Sequence, residues 1–237
     1  MNSDFLCKQS YDIKDLIAIM KMLRGEGGCP WDREQTHESI RQNMIEEAYE
    51  VTDAIDRKDP EMLCEELGDV LLQVVFHSEM SSEKGGFHFD DVADGVCRKL
   101  IERHPHVFGT VQAETSTEVL KNWDAIKAKS KHQETVTDTL KAVPQSFPAL
   151  MRAQKVAKRA SKSDLYPVPD YDPAAALLEN VTAANNGCDV DKSVLAGRIL
   201  FSAVELVRSM GLDSEECLAH ATDCFIDAFE EEEINSK

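Results

Sequence analysis

Apolar residues recur every three or four positions in two neighbouring segments, on either side of a short polar break at residues 57–60. This spacing is typical of amphipathic helices with one buried face. Asp59 and Pro60 supply an N-cap and a first residue for the second helix. Because the break is short, an antiparallel helix pair is predicted. The predicted core stripes are Ile40, Met44, Ala48, Val51 and Ile55 on the first helix, and Leu63, Leu67, Val70, Leu71 and Val74 on the second.

Acidic residues flank both stripes and are displaced from them in the same angular direction. In an antiparallel pair, such side chains end on one side. Glu50 and Glu66 share a midpoint at residue 58, inside the turn, and so do Glu47 and Asp69. Each pair is therefore predicted to lie at one height along the helices. The converging carboxylates are those of Glu47, Glu50, Glu66 and Asp69, with Glu46 beside them.

Carboxylates gathered beside a core repel one another and destabilise the fold unless a cation compensates. Ligands that are all oxygen suit Mg²⁺ or Mn²⁺ rather than Zn²⁺. The alternative is that these acids line a solvated helix face, which is the commoner position for acidic residues. Agreement of side, level and adjacency to the stripes favours the cation site.

A glycine-rich loop at residues 25–32 follows a predicted helix over residues 12–23. Its Trp31 is either a plug under the loop or a platform on which a base stacks, and the sequence leaves both open. Polar groups that suit a ring edge or a phosphate follow it at Arg33, Gln35 and His37.

Beyond the helix pair, a further helix is predicted from about Asp90. It carries Lys99 and Arg103 at i,i+4, which suits a clamp for phosphate oxygens, although basic residues in a last turn are also ordinary dipole partners. Another helix, over residues 117–129, carries Lys127, a further candidate for substrate binding. Val75 and Phe76 make the preceding helix apolar on both faces, which favours a partner subunit. The residues predicted to point inward from the helix after Asp90 are Val92, Val96, Leu100 and Ile101.

The second half repeats the plan of the first without its acids. The predicted organisation is a helical domain over residues 1–130, a polar linker over 131–146 and a degenerate helical domain over 147–237. Positions matching the four carboxylates hold Asn180, Ala183, Leu195 and Arg198, and those matching the two cations hold Cys224 and Ala228. Chemistry is therefore predicted in the first half, and a packing or dimer-building role in the second.

Composition is that of an ordinary globular protein, with 237 residues, of which 42% are hydrophobic and 30% charged. A formal net charge of -18 argues against a nucleic-acid polymer or an anionic membrane as partner. Seven cysteines without a Cys-x-x-Cys pair suit reduced thiols. With no basic and apolar leader and no run long enough for a membrane span, a cytoplasmic protein is expected.

The motifs together resemble one family. Glu46-Glu47-x-x-Glu50, Glu66-x-x-Asp69, the segment 27–32 and the segment 103–109 are similar to MazG-type nucleoside triphosphate pyrophosphohydrolases over about residues 10–130. The resemblance implies an all-α fold of helical bundles, completed in a homodimer or higher homo-oligomer. It also implies hydrolysis of a nucleoside triphosphate to a monophosphate and pyrophosphate. In two-domain relatives the second copy can be the active one, whereas here the first copy retains the acids.

Carried over by position, Glu47, Glu50, Glu66 and Asp69 would bind Mg²⁺, with Glu46 assisting. For the proton of the attacking water, Glu47 and Glu50 are candidate bases, and their spacing does not choose between the roles of ligand and base. Lys99 and Arg103 would hold phosphates, and Trp31, Gln35 and His37 the nucleobase. Two alternatives stay open. One is a non-catalytic nucleotide-binding or scaffold protein, and the other is the same fold acting on dUTP, dCTP or phosphoribosyl-ATP.

Overall fold

The computed structural model describes residues 8–111, 115–130, 135–163, 172–187 and 189–236. Within these ranges the chain forms twelve helices and no strands, which confirms the predicted all-α class. The helices are α1 Ile13–Arg24, α2 Pro30–Glu34, α3 Arg41–Arg57, α4 Pro60–Glu83, α5 Phe89–Arg103, α6 Pro105–Phe108, α7 Ser116–Ser130, α8 Val136–Lys141, α9 Ala149–Ala160, α10 Pro173–Asn186, α11 Lys192–Ser209 and α12 Ser214–Asn235. Among these helices, none combines the length and the apolar character needed to cross a membrane.

The chain divides into two compact units, Met1–Val119 and Leu120–Lys237. In the first unit α3 and α4 form a helical hairpin, and α1 and α5 pack on α4. In the second unit α10 and α11 form a hairpin, and α9 packs on both α11 and α12. Within the span predicted as a linker, the chain forms the short helix α8.

Local sequence signals start the helices of the first hairpin where they are expected. Asp59 caps α4 by accepting hydrogen bonds from the backbone N–H groups of Glu61 (3.0 Å) and Met62 (3.1 Å), and Pro60 is the first helical residue. Lys58, with φ 57°, adopts the left-handed conformation that ends α3. The predicted helix boundary at the 57–60 break is therefore confirmed.

The core of the first unit lies between α1, the N-cap residue of α3 and the C-terminal half of α4. It is formed by Met20, Ile40, Val75, Phe76 and Met80, each no more than 5% exposed. The inference that Val75 and Phe76 need a partner subunit was wrong, because α1 of the same chain supplies the packing partner for this part of α4.

The predicted core stripe of the hairpin is only partly correct. Ala54 is completely buried, whereas its neighbour Ile55 is 54% exposed, and Leu67 on α4 is 51% exposed. The physical reason is that α3 packs chiefly against α4, so one strip of its surface is covered. The covered strip of α3 runs through Ala54 and Glu47, whereas the apolar residues in the sequence predict that it runs through Ile55.

The prediction that α5 directs its apolar residues inward is wrong for the single chain. Val92, Val96, Leu100 and Ile101 are between 38% and 52% exposed. Helix α5 contacts α4 and α6, and these contacts leave its apolar face uncovered. The periodicity of α5 therefore indicates a face that could be covered, but not the element that covers it.

Candidate metal centre

Three carboxylates from the first hairpin converge on one point. One oxygen each of Glu47 on α3 and of Glu66 and Asp69 on α4 lie within 4.8 Å of one another, and all three residues are half-buried. Glu66 and Asp69 are three residues apart on one helix, so both project from the same face. Because Mg²⁺ binds oxygen at about 2.1 Å, its ligand oxygens lie roughly 3–4 Å apart. Small side-chain adjustments would therefore close this cluster around a cation.

Glu50 adjoins this cluster through Glu66, within hydrogen-bond reach of its carboxyl group. The structure thus places Glu50 beside Glu66 and Glu47 beside Asp69, which is the pairing that the shared midpoint predicts. Glu46 is exposed on α3, where its charge still acts on Glu47.

The acids destabilise one another's charged forms. Partial burial raises the pKa of Glu47, and the charges of Asp69 and Glu50 raise it further. Partial burial likewise raises the pKa of Glu66, and the adjacent Glu50 adds to the effect. A cation placed among these oxygens would favour ionisation, so the chemistry of the donor set fits a hard divalent ion.

Sequence reasoning missed Gln73, which lies four residues after Asp69 on the same face of α4. Its side chain is 6% exposed, and its Nε2 donates a 3.5 Å hydrogen bond to Glu47 Oε1. Its Oε1 is buried with no hydrogen-bond partner among the described residues. The spacing of four from Asp69 and seven from Glu66 is the signal that identifies it.

The loop before α3 places the predicted base-binding residues as follows. Trp31 on α2 is 57% exposed, so it is not a core plug in this chain, and Arg33 is also exposed. Gln35 uses its amide to organise the loop, since Nε2 donates to the Trp31 carbonyl (2.9 Å) and Oε1 accepts from Ser39 Oγ (2.7 Å).

His37 stacks on His77 of α4, with Nδ1 atoms 2.8 Å apart and ring centroids 5.1 Å apart. Burial lowers the pKa of His77, and His37 lowers it further. His77 is thus the residue against which His37 is packed.

Arg24 is a second residue that the sequence did not single out. Its guanidinium binds both carboxylate oxygens of Glu83 (2.6 and 2.8 Å) and lies over the Phe76 ring at 5.3 Å. It also donates to the carbonyls of Asp32 and Gln35. Arg24, the last residue of α1, thereby ties the segment that contains α2 to α4. Its partners lie 8 to 59 residues away in the sequence, so no local pattern reveals these contacts.

The predicted substrate-binding cations lie on two helices. Lys99 is exposed and Arg103 half-buried on α5, four residues apart on one face. Lys127 lies on α7, half-buried, within the second unit. Their roles toward a substrate stay predictions.

Fold and site together define an all-helical protein with a carboxylate cluster, suited to a hard divalent cation, in a helical hairpin. Residues 35–108 match the model of the MazG nucleotide pyrophosphohydrolase domain. The chain is 41% identical, over 93% of its length and 87% of the relative, to the nucleoside triphosphate pyrophosphohydrolase of Escherichia coli strain K12. It is 38% identical, over 93% of its length and 85% of the relative, to the nucleoside triphosphate pyrophosphohydrolase/pyrophosphatase MazG of Thermotoga maritima.

A similar protein from Mycobacterium tuberculosis, also named nucleoside triphosphate pyrophosphohydrolase, is 39% identical over 75% of this chain and 51% of its own length. The chain therefore belongs to the MazG nucleoside triphosphate pyrophosphohydrolase family. The expected family and the expected class of enzyme are both confirmed.

Proposed function

We propose that the chain hydrolyses nucleoside triphosphates, standard or non-standard and ribo or deoxy, to a nucleoside monophosphate and pyrophosphate, in a reaction that depends on Mg²⁺. The supporting observation is the convergence of Glu47, Glu66 and Asp69 from two helices. The relatives named above, which carry this activity in their names, cover most of the chain. Mn²⁺ is the expected substitute metal.

The four carboxylates would hold the cation, with Glu50 completing the set formed by Glu47, Glu66 and Asp69. A divalent cation held there would neutralise charge on the triphosphate and would lower the pKa of a bound water molecule. Glu47 or Glu50 would accept the proton of the attacking water, and Glu46 would add negative charge at the edge of the cluster.

The remaining residues would bind the nucleotide around this centre. Lys99 and Arg103 would contact the phosphates. The exposed face of Trp31 on α2 is available for stacking on a base, with Arg33 on the same helix and His37 in the turn that follows it. Gln35 would act mainly by fixing the loop, because both ends of its amide contact loop atoms.

A homodimer or higher homo-oligomer is part of the proposal. The uncovered apolar face of α5, with Val96, Leu100 and Ile101 all more than 40% exposed, supports it. A role in clearing surplus or non-standard nucleotides is proposed from the family, and a cytoplasmic location stays a prediction from the sequence.

Product analysis across a nucleotide panel tests the proposed function. The full chain is incubated with Mg²⁺ and each of the standard ribo- and deoxynucleoside triphosphates, dUTP, inosine triphosphate and phosphoribosyl-ATP, and products are identified by ³¹P NMR. A monophosphate and pyrophosphate are expected. A diphosphate with orthophosphate would contradict the assigned bond, and nucleotide binding without any product would favour the scaffold alternative. Turnover of only dUTP, dCTP or phosphoribosyl-ATP would favour the alternative that the fold acts on that one substrate.

A further inference from the structure

Gln73 lies beside the carboxylate cluster but carries an amide instead of a carboxylate. Gln73 is only 6% exposed, yet its amide oxygen has no hydrogen-bond partner among the described residues. Buried polar atoms are rarely left unpaired in native proteins. An unpaired acceptor at the edge of a binding site therefore indicates a donor that arrives with a ligand.

The other end of the same amide is already used. Gln73 Nε2 donates to Glu47 Oε1 at 3.5 Å, and this contact opposes the rise in the pKa of Glu47 that burial and Asp69 cause. An amide can donate and accept at once, whereas an ionised carboxylate only accepts. Gln73 can therefore orient a carboxylate ligand and hold a second group at the same time.

The second hairpin shows what a purely structural contact at this position looks like. There Asn180 Nδ2 donates to Ser202 Oγ at 3.1 Å, and Ser202 is also 6% exposed. Asn180 Nδ2 also donates to the Ala176 carbonyl at 2.9 Å. Neither Asn180 nor Ser202 has a buried side-chain atom without a partner among the described residues. Joining two helices thus requires no open acceptor, so the open acceptor of Gln73 needs another explanation.

We propose that Gln73 is a positioning residue of the metal centre. Its N–H group holds the Glu47 carboxylate in the orientation that binds Mg²⁺, and its carbonyl oxygen accepts a hydrogen bond from a water molecule of the cation's hydration shell. The inference rests on the proposed function, since it concerns the same site. It assigns a role to a residue that is not itself a ligand.

The test measures Mg²⁺ binding to the full chain by isothermal titration calorimetry, without nucleotide. Gln73→Met and Gln73→Leu both remove the amide but differ in shape, so a loss shared by both reports the amide. Each should weaken Mg²⁺ binding by about 10–100-fold, the range typical of residues that support metal ligands. At saturating Mg²⁺, kcat should still fall while KM for the nucleotide changes less than about twofold, because the proposed role of the amide is to orient a metal ligand rather than to bind the nucleotide.

Ser202→Ala is the matched control, since it removes the corresponding contact in the second hairpin. It should leave Mg²⁺ affinity and kcat unchanged. The inference is overturned if both Gln73 variants bind Mg²⁺ within twofold of the wild type, or if Ser202→Ala causes the same loss.

The failure of this inference is distinguishable from failure of the proposed function. If the wild type hydrolyses no triphosphate but the Gln73 variants still bind Mg²⁺ more weakly than the wild type does, the positioning role is supported and the proposed activity is refuted. If the wild type is active but the Gln73 variants bind Mg²⁺ as tightly as the wild type does, the proposed activity is supported and the positioning role is refuted.

Discussion

Asn180 on α10 donates a 3.1 Å hydrogen bond to Ser202 on α11, at the positions that correspond to Glu47 and Gln73 in the first hairpin. The two hairpins therefore share one register, as the internal repeat predicts. Val75 and Val204, which correspond in the same alignment, are both buried. The geometry of the repeat is retained, while the residues that correspond to the acids can no longer hold a divalent cation.

Removing one acid from the first hairpin should stabilise the metal-free protein. The raised pKa of Glu47 means that the folded state favours its protonated form, so stability falls as pH rises through that pKa. Glu47→Gln should therefore raise the free energy of unfolding at pH 7 by on the order of 1 kcal/mol, and by less at pH 4. Urea unfolding in the presence of a chelator measures this.

The same variant should lose the stabilisation that Mg²⁺ gives to the wild type. Glu61→Gln, an equivalent substitution at an exposed position of α4, is the control. A Glu47→Gln protein that is less stable than the wild type at pH 7 without metal would contradict the proposed mutual repulsion.

The pair of Arg24 and Glu83 should give stability with the opposite pH dependence. The Arg24 hydrogen bond lowers the pKa of Glu83 below its ordinary value of 4.5. Its contribution is therefore fully present above pH 4.5 and is lost as pH falls through the lowered pKa. Because Glu83 is partly exposed, Glu83→Gln should cost about 0.5–1 kcal/mol at pH 7 and progressively less as the pH falls below 4.5.

The exposed ion pair of Asp94 and Arg98 provides the comparison, and Asp94→Asn should change unfolding little at either pH. Equal effects of Glu83→Gln at pH 7 and pH 3 in urea unfolding would show that the carboxylate charge is not what stabilises this contact.

Gly28 should be irreplaceable in the loop that carries Trp31. A Cβ at this position would lie 2.2 Å from the Leu23 carbonyl oxygen, which already accepts a 2.7 Å hydrogen bond from the Cys29 N–H. Gly28→Ala should destabilise the protein by about 1–3 kcal/mol, because backbone rather than a flexible side chain must move. It should also raise KM for the nucleotide by displacing Trp31.

Gly95→Ala is the corresponding control, since Gly95 lies inside α5 with open space around its added Cβ. There the greater helix propensity of alanine should stabilise the protein by up to about 1 kcal/mol. Thermal unfolding compares the two variants, and a Gly28→Ala protein as stable as the wild type would show that the loop can rearrange.

The apolar face of α5 should mediate self-association. Leu100→Glu places a charge on this face and should shift the assembly toward monomers in size-exclusion chromatography with light scattering. Arg98→Gln on the same helix, where the side chain is 78% exposed and paired with Asp94, should leave the assembly unchanged. A monomeric wild type, or an unchanged Leu100→Glu assembly, would exclude this face as the interface.

Features set by local rules could be predicted from the sequence. The start of α4 at Asp59 and Pro60 depends on residues adjacent in the chain, and the pairing of Glu47 with Asp69 follows from helix geometry once the turn is placed. The sequence alone therefore predicts that the four acids lie on one side of one hairpin.

Features set by which surfaces meet could not be predicted in the same way. Periodicity marked Val96 and Leu100 as apolar but did not show whether the chain covers them. The contact of Arg24 with Glu83 joins residues 59 positions apart, and no local pattern indicates it. Gln73 was overlooked because a lone amide in an apolar helix is uninformative until its burial and its contact with Glu47 are seen.

The central claim is that the carboxylates of the first hairpin make the phosphoanhydride cleavable, and the rate of pyrophosphate release tests it most directly. Glu66→Gln and the exposed control Glu61→Gln differ from each other only in which residue of α4 loses its charge. At saturating Mg²⁺ and nucleoside triphosphate, Glu66→Gln should lower this rate by more than about 100-fold, which is the largest loss typical of substituting a residue that only supports a metal ligand. Its helical content should be unchanged. Glu61→Gln should remain within twofold of the wild type. Full turnover by Glu66→Gln would show that the reaction occurs elsewhere in the chain.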